Sequence, residues 1–177
     1  MTWYAAFLRG INSGRNPALR MENLGRIFEG LGFENVATVI ASGNVLFETG
    51  TADRRSLEAR AERAMLEETG VETVAIVRSS DEIRHLVDCD PFRDVTVTPT
   101  TKLYATFLKD SPMRSAEFPG GSGYTVLEVR PDVVFSVVDL AAARTPDLMR
   151  ALETAFGKGI TTRNWSTVLK IAARLAA

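Results

Sequence analysis

The residues best suited to chemistry lie at the ends of two short apolar runs near the N-terminus. Arg9, Gly10 and Asn12 close the run 3–9, and Ser42, Gly43 and Asn44 form the turn that opens the run 45–47. A guanidinium presents a planar fork of donors, carboxamides and a hydroxyl add directional hydrogen bonds, and glycines let backbone amides approach closely. Together they fit an anion. A second polar set, Arg163 and Asn164, precedes Trp165 in the run TTRNWSTV. It is expected in the first turn of a C-terminal helix, capped by Thr161 or Thr162, with Arg163 reaching the same site as Arg9. The competing reading makes these residues structural: Gly43 and Asn44 as turn formers, Asn12 and Asn16 as caps, and Arg9 paired with a buried carboxylate or carbonyl.

These residues need a frame to hold them. Run 3–8 is apolar on both faces, as in a central strand covered on both sides. A loop rich in Gly, Asn, Ser and Pro follows, then Met21, Leu24, Ile27, Phe28 and Leu31 at helical spacing, stopped by Gly32. Runs 36–40 and 45–47 make a hairpin around ASGN, Leu57, Ala61, Ala64 and Met65 mark a second helix ended by Gly70, and run 73–77 is a further strand. This β-α-β-β-α-β order is the ferredoxin-like split βαβ unit, whose strand order 4-1-3-2 sets the end of strand one beside the hairpin turn. Ser79 and Glu82 form a capping box for a short helix that Pro91 ends.

Much of this pattern returns. Tyr4, Ala5, Phe7 and Leu8 recur as Tyr104, Ala105, Phe107 and Leu108, and Val45 to Phe47 as Val133 to Phe135. A second unit is expected with a hairpin of runs 125–129 and 133–137, a helix through Leu148, Leu152, Ala155 and Phe156, and the short run 113–118 in place of its first helix. The fold class is thus α+β, two ferredoxin-like (α/β-plait) subdomains in tandem, at residues 1–90 and 91–177, the second degenerate, packed into one compact body.

The 177 residues carry 45% hydrophobic and 24% charged side chains, an ordinary globular composition with no apolar run long enough to cross a membrane. Seventeen Arg against four Lys favours anion recognition, but 22 acidic residues balance 21 basic ones, so bulk nucleic-acid binding is not favoured. The single Cys89 excludes an internal disulfide, no leader is evident, and a cytoplasmic protein is expected. His85 and Cys89, four apart, do not complete a zinc site, and no metal or cofactor is implied. The glycine-bearing loop matches neither a dinucleotide nor a Walker motif.

LRGIN at residues 8–12, GFENVATVIASGNVLFE at 32–48 and TTRNWSTV near the C-terminus together resemble the bacterial domain-of-unknown-function family numbered 1697. The resemblance spans nearly the whole chain and implies a pair of α/β-plait units without an established activity. Family members often carry a glycine pair after LRGIN, where this chain has Ser13, Gly14 and Arg15, and an aromatic before SGN, where it has Val39 and Ile40.

The expected function is binding of a small anionic ligand, phosphate-bearing or nucleotide-like, near an inter-subdomain cleft. Arg9 and Arg163 would neutralise charge while Asn12, Ser42, Asn44 and Asn164 orient the ligand. Whether the chain is an enzyme stays open, since no general base stands in these motifs. The alternative is a protein or RNA interaction module using a sheet face. Trp3, Phe7 and Phe47 would then be exposed, although ASGNVLFE lacks the basic and aromatic RNP1 pattern.

Overall fold

A computed structural model describes residues 1–11, 16–40, 43–50, 53–112 and 121–176. The expected run 113–118, Asn12 and Ser42 lie outside them. The chain divides into two units, Met1–His85 with Lys170–Ala177, and Leu86–Leu169.

In the first unit, β1 (Thr2–Leu8), β2 (Glu34–Thr38), β3 (Asn44–Thr49) and β4 (Ala75–Ser79) form one antiparallel-paired sheet in the order β2-β3-β1-β4. This is the 4-1-3-2 order expected from the sequence. Helices α1 (Met21–Gly30) and α2 (Arg54–Thr69) provide its crossovers, and α3 (Ser80–Asp88) follows β4 without a loop. The alternation of β1 sends Tyr4, Ala6 and Leu8 into a core with Val45, Phe47 and Val77 from the sheet and Leu24, Phe28, Leu57 and Met65 from the helices. Phe33 stacks on Phe47 at 4.4 Å between ring centroids, and Phe28 tilts against the same ring at 5.6 Å. Ala5, Phe7, Ile76 and Arg78 alternate onto the other face and are fully buried as well. That explains why β1 is apolar on both sides.

Two local expectations are met closely. Ser79 and Glu82 form the capping box of α3: the Ser79 amide donates to Glu82 Oε2 at 2.7 Å, and the Glu82 amide donates to Ser79 Oγ at 3.2 Å. Gly70 ends α2 with a φ of 68° and an amide donating to the Leu66 carbonyl. One expectation is shifted. Asn16 does act as a cap, its Oδ1 accepting the Ala18 amide at 3.0 Å, but it caps a short 3₁₀ turn, Pro17–Leu19, rather than α1, which begins at Met21 with no side-chain cap.

The outer edge of β4 is closed by carboxylates. The amides of Ala75 and Val77 donate to Glu62 Oε1 at 2.9 Å and Glu58 Oε1 at 3.0 Å, and Ser79 continues the row with Glu82. Alternate amides of a strand lie about 6.6 Å apart and side chains four apart on a helix about 6 Å apart, so one helix face can serve successive edge donors. An edge so occupied offers no template for another strand.

The second unit repeats the sheet with β5 (Thr101–Leu108), β6 (Tyr124–Val129), β7 (Val133–Asp139) and β8 (Ile160–Asn164), in the order β6-β7-β5-β8. Helix α4 (Thr145–Phe156) packs Leu148 and Leu152 on Tyr104, Leu108, Val134, Val138 and Ile160. The strand β8 corrects the sequence reading, which made Thr161 or Thr162 a helix cap and put Arg163 and Asn164 in the first turn of that helix. Its Thr-Thr-Arg-Asn sequence is short and polar, but it pairs with β5 over its whole length. Helix α5 (Trp165–Leu175) then starts without a loop, as α3 does after β4.

Candidate functional site

In the first unit the end of β1 and the turn into β3 do come together. The Leu8 amide donates to the Gly43 carbonyl at 2.8 Å, and the Arg9 amide to that of Val74 at 2.8 Å. Gly43 has a φ of 72°, and a Cβ there would sit 2.8 Å from Ile11 Cγ1 and 3.1 Å from the Leu8 carbonyl oxygen. Glycine is therefore required by the close approach as well as by the backbone. Asn44 is fully buried and its carboxamide donates to the Val39 carbonyl at 2.9 Å, while the Val39 amide donates back to the Asn44 carbonyl. Its role is to lock the hairpin. Arg9 is half-buried, with its carbonyl accepting from the Thr73 hydroxyl.

In the second unit, β8 changes the meaning of Arg163 and Asn164. As neighbours on a strand they point to opposite faces. Arg163 stands opposite Ala105 and is buried; its Nη1 donates to Thr161 Oγ1 at 2.7 Å and to the Thr162 carbonyl at 3.0 Å. Burial pushes its pKa down to about 10. It has a counterpart in the first unit that sequence reasoning missed. Arg78, the fourth residue of β4, stands opposite Ala5, is fully buried, and donates from Nη1 to the preceding carbonyl at 2.8 Å. The small alanine in each first strand leaves space beside a bulky arginine. The available signal was the strand-to-helix junction itself, Arg-Ser-Ser in one half and Arg-Asn-Trp in the other. The surroundings differ: Arg78 Nη1 lies 4.0 Å from the buried Glu58 Oε1, whereas the residue after the corresponding core leucine of α4 is Met149.

Asn164 faces the other way, onto the α4 side of the sheet. It stands opposite Tyr104, two residues from Lys102 on the same face. The Tyr104 hydroxyl is 3.0 Å from Thr145 Oγ1 at the start of α4. Thr101, Lys102, Tyr104, Thr145, Asn164 and Ser166 contribute polar groups to a pocket of about 560 Å³. Two helix starts, at Thr145 and Trp165, border it. Helix N-termini carry partial positive charge, and Lys102 adds a full one at an exposed position. The acid nearest in sequence to its wall, Asp139, is held below its ordinary range by hydrogen bonds from the Ala141 amide and the Thr100 hydroxyl. The chemistry available here is attraction and hydrogen bonding of an anion. Lys102, Tyr104 and Thr145 were not read as site residues from sequence because they are scattered over forty-odd positions and gather only through strand pairing and the return of α4.

The model of the family described as "Protein of unknown function (DUF1697)" matches residues 1–119. The chain belongs to the DUF1697 family. The family assignment covers the Met1–His85 part of the first unit and the start of the second, including the LRGIN and SGN segments. Among curated proteins none matches the chain. Among solved structures, the conserved bacterial protein SP0830 from Streptococcus pneumoniae is similar, with a TM-score of 0.73 and 19% identity over 100% of this chain and 99% of that one. At that identity the likeness concerns the fold, and it extends through the C-terminal part beyond the family match.

Proposed function

We propose that this protein binds a small anionic ligand, and that the pocket at the start of α4 and α5 in the second unit receives it. The observation that carries this reading is the gathering of Lys102, Tyr104 and Asn164 on one sheet face beside Thr145 and two helix N-termini. Lys102 supplies charge, Asn164 and Ser166 supply donors, and the paired hydroxyls of Tyr104 and Thr145 fix one wall. Asn164 is the residue that carries over from the sequence motif. Arg163 directs its guanidinium to the opposite face, and Asn44 spends its carboxamide on the hairpin.

The RNA-module alternative draws less support. Phe7 and Phe47 are both fully buried, and they lie on opposite faces of the sheet, since Phe7 stands opposite Asn44 and Phe47 opposite Tyr4. Stacking of bases needs exposed aromatics on one face.

The test is a thermal-shift screen of the full chain against inorganic phosphate, nucleotides, sugar phosphates and short RNA, repeated on Lys102→Ala and Asn164→Ala. A ligand at 100 times its dissociation constant adds about 2.7 kcal/mol, a rise of roughly 5–10 °C for a chain of this size. Stabilisation by a phosphate-bearing class that both variants lose is the expected result. Stabilisation unchanged in both variants would remove this pocket from consideration.

A further inference from the structure

The same pocket has an apolar side. Val97, from the segment before β5, Leu140, just after β7, and Leu169, on α5, line it together with the polar groups. Their exposures are 61%, 44% and 42%. Seven large hydrophobic residues are substantially exposed among the described residues, and three of them meet here from three separate parts of the chain. Exposed apolar side chains scattered singly need no explanation, but a convergence around a charged and hydroxyl-lined pocket does.

Resting on the anion-binding reading above, we propose that the ligand is amphiphilic: an anionic head, phosphate or carboxylate, joined to a short alkyl or aryl body. The head would lie against Lys102, Asn164 and the helix starts. The body would cover Val97, Leu140 and Leu169, removing apolar surface from water on both partners. A free inorganic anion or a fully hydroxylated sugar phosphate would leave those three residues wet and would gain nothing from them. Chemistry of this kind selects acyl or aryl anions over sugar phosphates of equal charge.

The experiment is calorimetric titration of the full chain with octyl phosphate below its micelle concentration, inorganic phosphate and octanol, on the wild type, Lys102→Ala and a Val97→Ser/Leu169→Ser double variant. Both substituted apolar positions are exposed, so folding is not at stake. We expect octyl phosphate to bind at least tenfold more tightly than inorganic phosphate. Lys102→Ala should weaken octyl phosphate severalfold, and the serine variant should erase most of its advantage over phosphate. Equal affinity for octyl phosphate and inorganic phosphate would overturn the amphiphile while leaving an anion site. Octanol binding as tightly as octyl phosphate would overturn the anionic head as well, and no binding by any probe would overturn both readings. Octyl phosphate affinity unchanged in the serine variant would place its chain elsewhere and overturn the proposal.

Discussion

Replacing Glu58 tests the organisation of the first unit most directly. This carboxylate is 1% exposed, accepts the Val77 amide at 3.0 Å through Oε1, and has the same oxygen 4.0 Å from the fully buried Arg78 Nη1. Glu58→Ala removes a charged acceptor from a buried edge amide, a loss of about 1.5–3 kcal/mol, and leaves a buried guanidinium without that carboxylate. Breaking a buried pair from one side typically costs about 3–5 kcal/mol in total, and the two effects overlap, so the expected loss is roughly 4 kcal/mol. Glu58→Gln keeps an oxygen for the Val77 amide and loses only the charge; about 2 kcal/mol is expected. The difference between the two variants isolates the hydrogen bond to the strand edge. Urea unfolding followed by tryptophan fluorescence measures it. Trp3 lies in β1 and Trp165 in the second unit, so a Trp165→Phe background leaves Trp3 to report on the first sheet. If alanine and glutamine variants both lose less than about 1 kcal/mol, the edge does not depend on this carboxylate.

Other consequences are open to measurement. Arg163→Met should change stability by no more than about 1 kcal/mol, because loss of its hydrogen bonds to Thr161 and Thr162 is offset by removal of a desolvated charge; a loss above about 3 kcal/mol in urea melts would refute that offset. Since the folded pKa of Arg163 is depressed to about 10, the unfolded chain holds more protons from that pH upward. Wild type should therefore gain stability relative to Arg163→Met as pH rises above about 10, and a relative loss would reverse the assigned cause. Gly43→Ala should cost about 2–3 kcal/mol, from the positive φ and the contact with Ile11, and a loss under 0.5 kcal/mol in chemical denaturation would show that the turn relaxes freely. Ser136→Ala should be neutral or stabilising by about 1 kcal/mol, since its buried hydroxyl has no hydrogen-bond partner among the described residues, and a loss above 1 kcal/mol would contradict that.

Much of the architecture was legible in the order of residues because its signals are local. The alternation of residues 3–8 marks a strand with two buried faces, the spacing from Met21 to Leu31 a helix, and the Ser79–Glu82 pair a capping box; each depends on backbone geometry over a few residues. The β-α-β-β-α-β order then leaves few ways to pair strands, and the observed 4-1-3-2 order follows in the first unit; in the second the same order depends on β8, a strand too short and polar to be read from its residues. Side-chain roles at the polar motifs were not legible, because they turn on which face a residue occupies. Reading Arg163 and Asn164 as the first turn of a helix capped by Thr161 or Thr162 put them together, whereas strand pairing with β5 separates them, one buried beside Ala105 and the other beside Tyr104 at a pocket. Lys102 and Thr145 carry no motif, and Tyr104 belongs only to the repeated strand run. Only the tertiary structure brings them to Asn164, because strand pairing and helix return, unlike capping and periodicity, join residues that local spacing cannot connect.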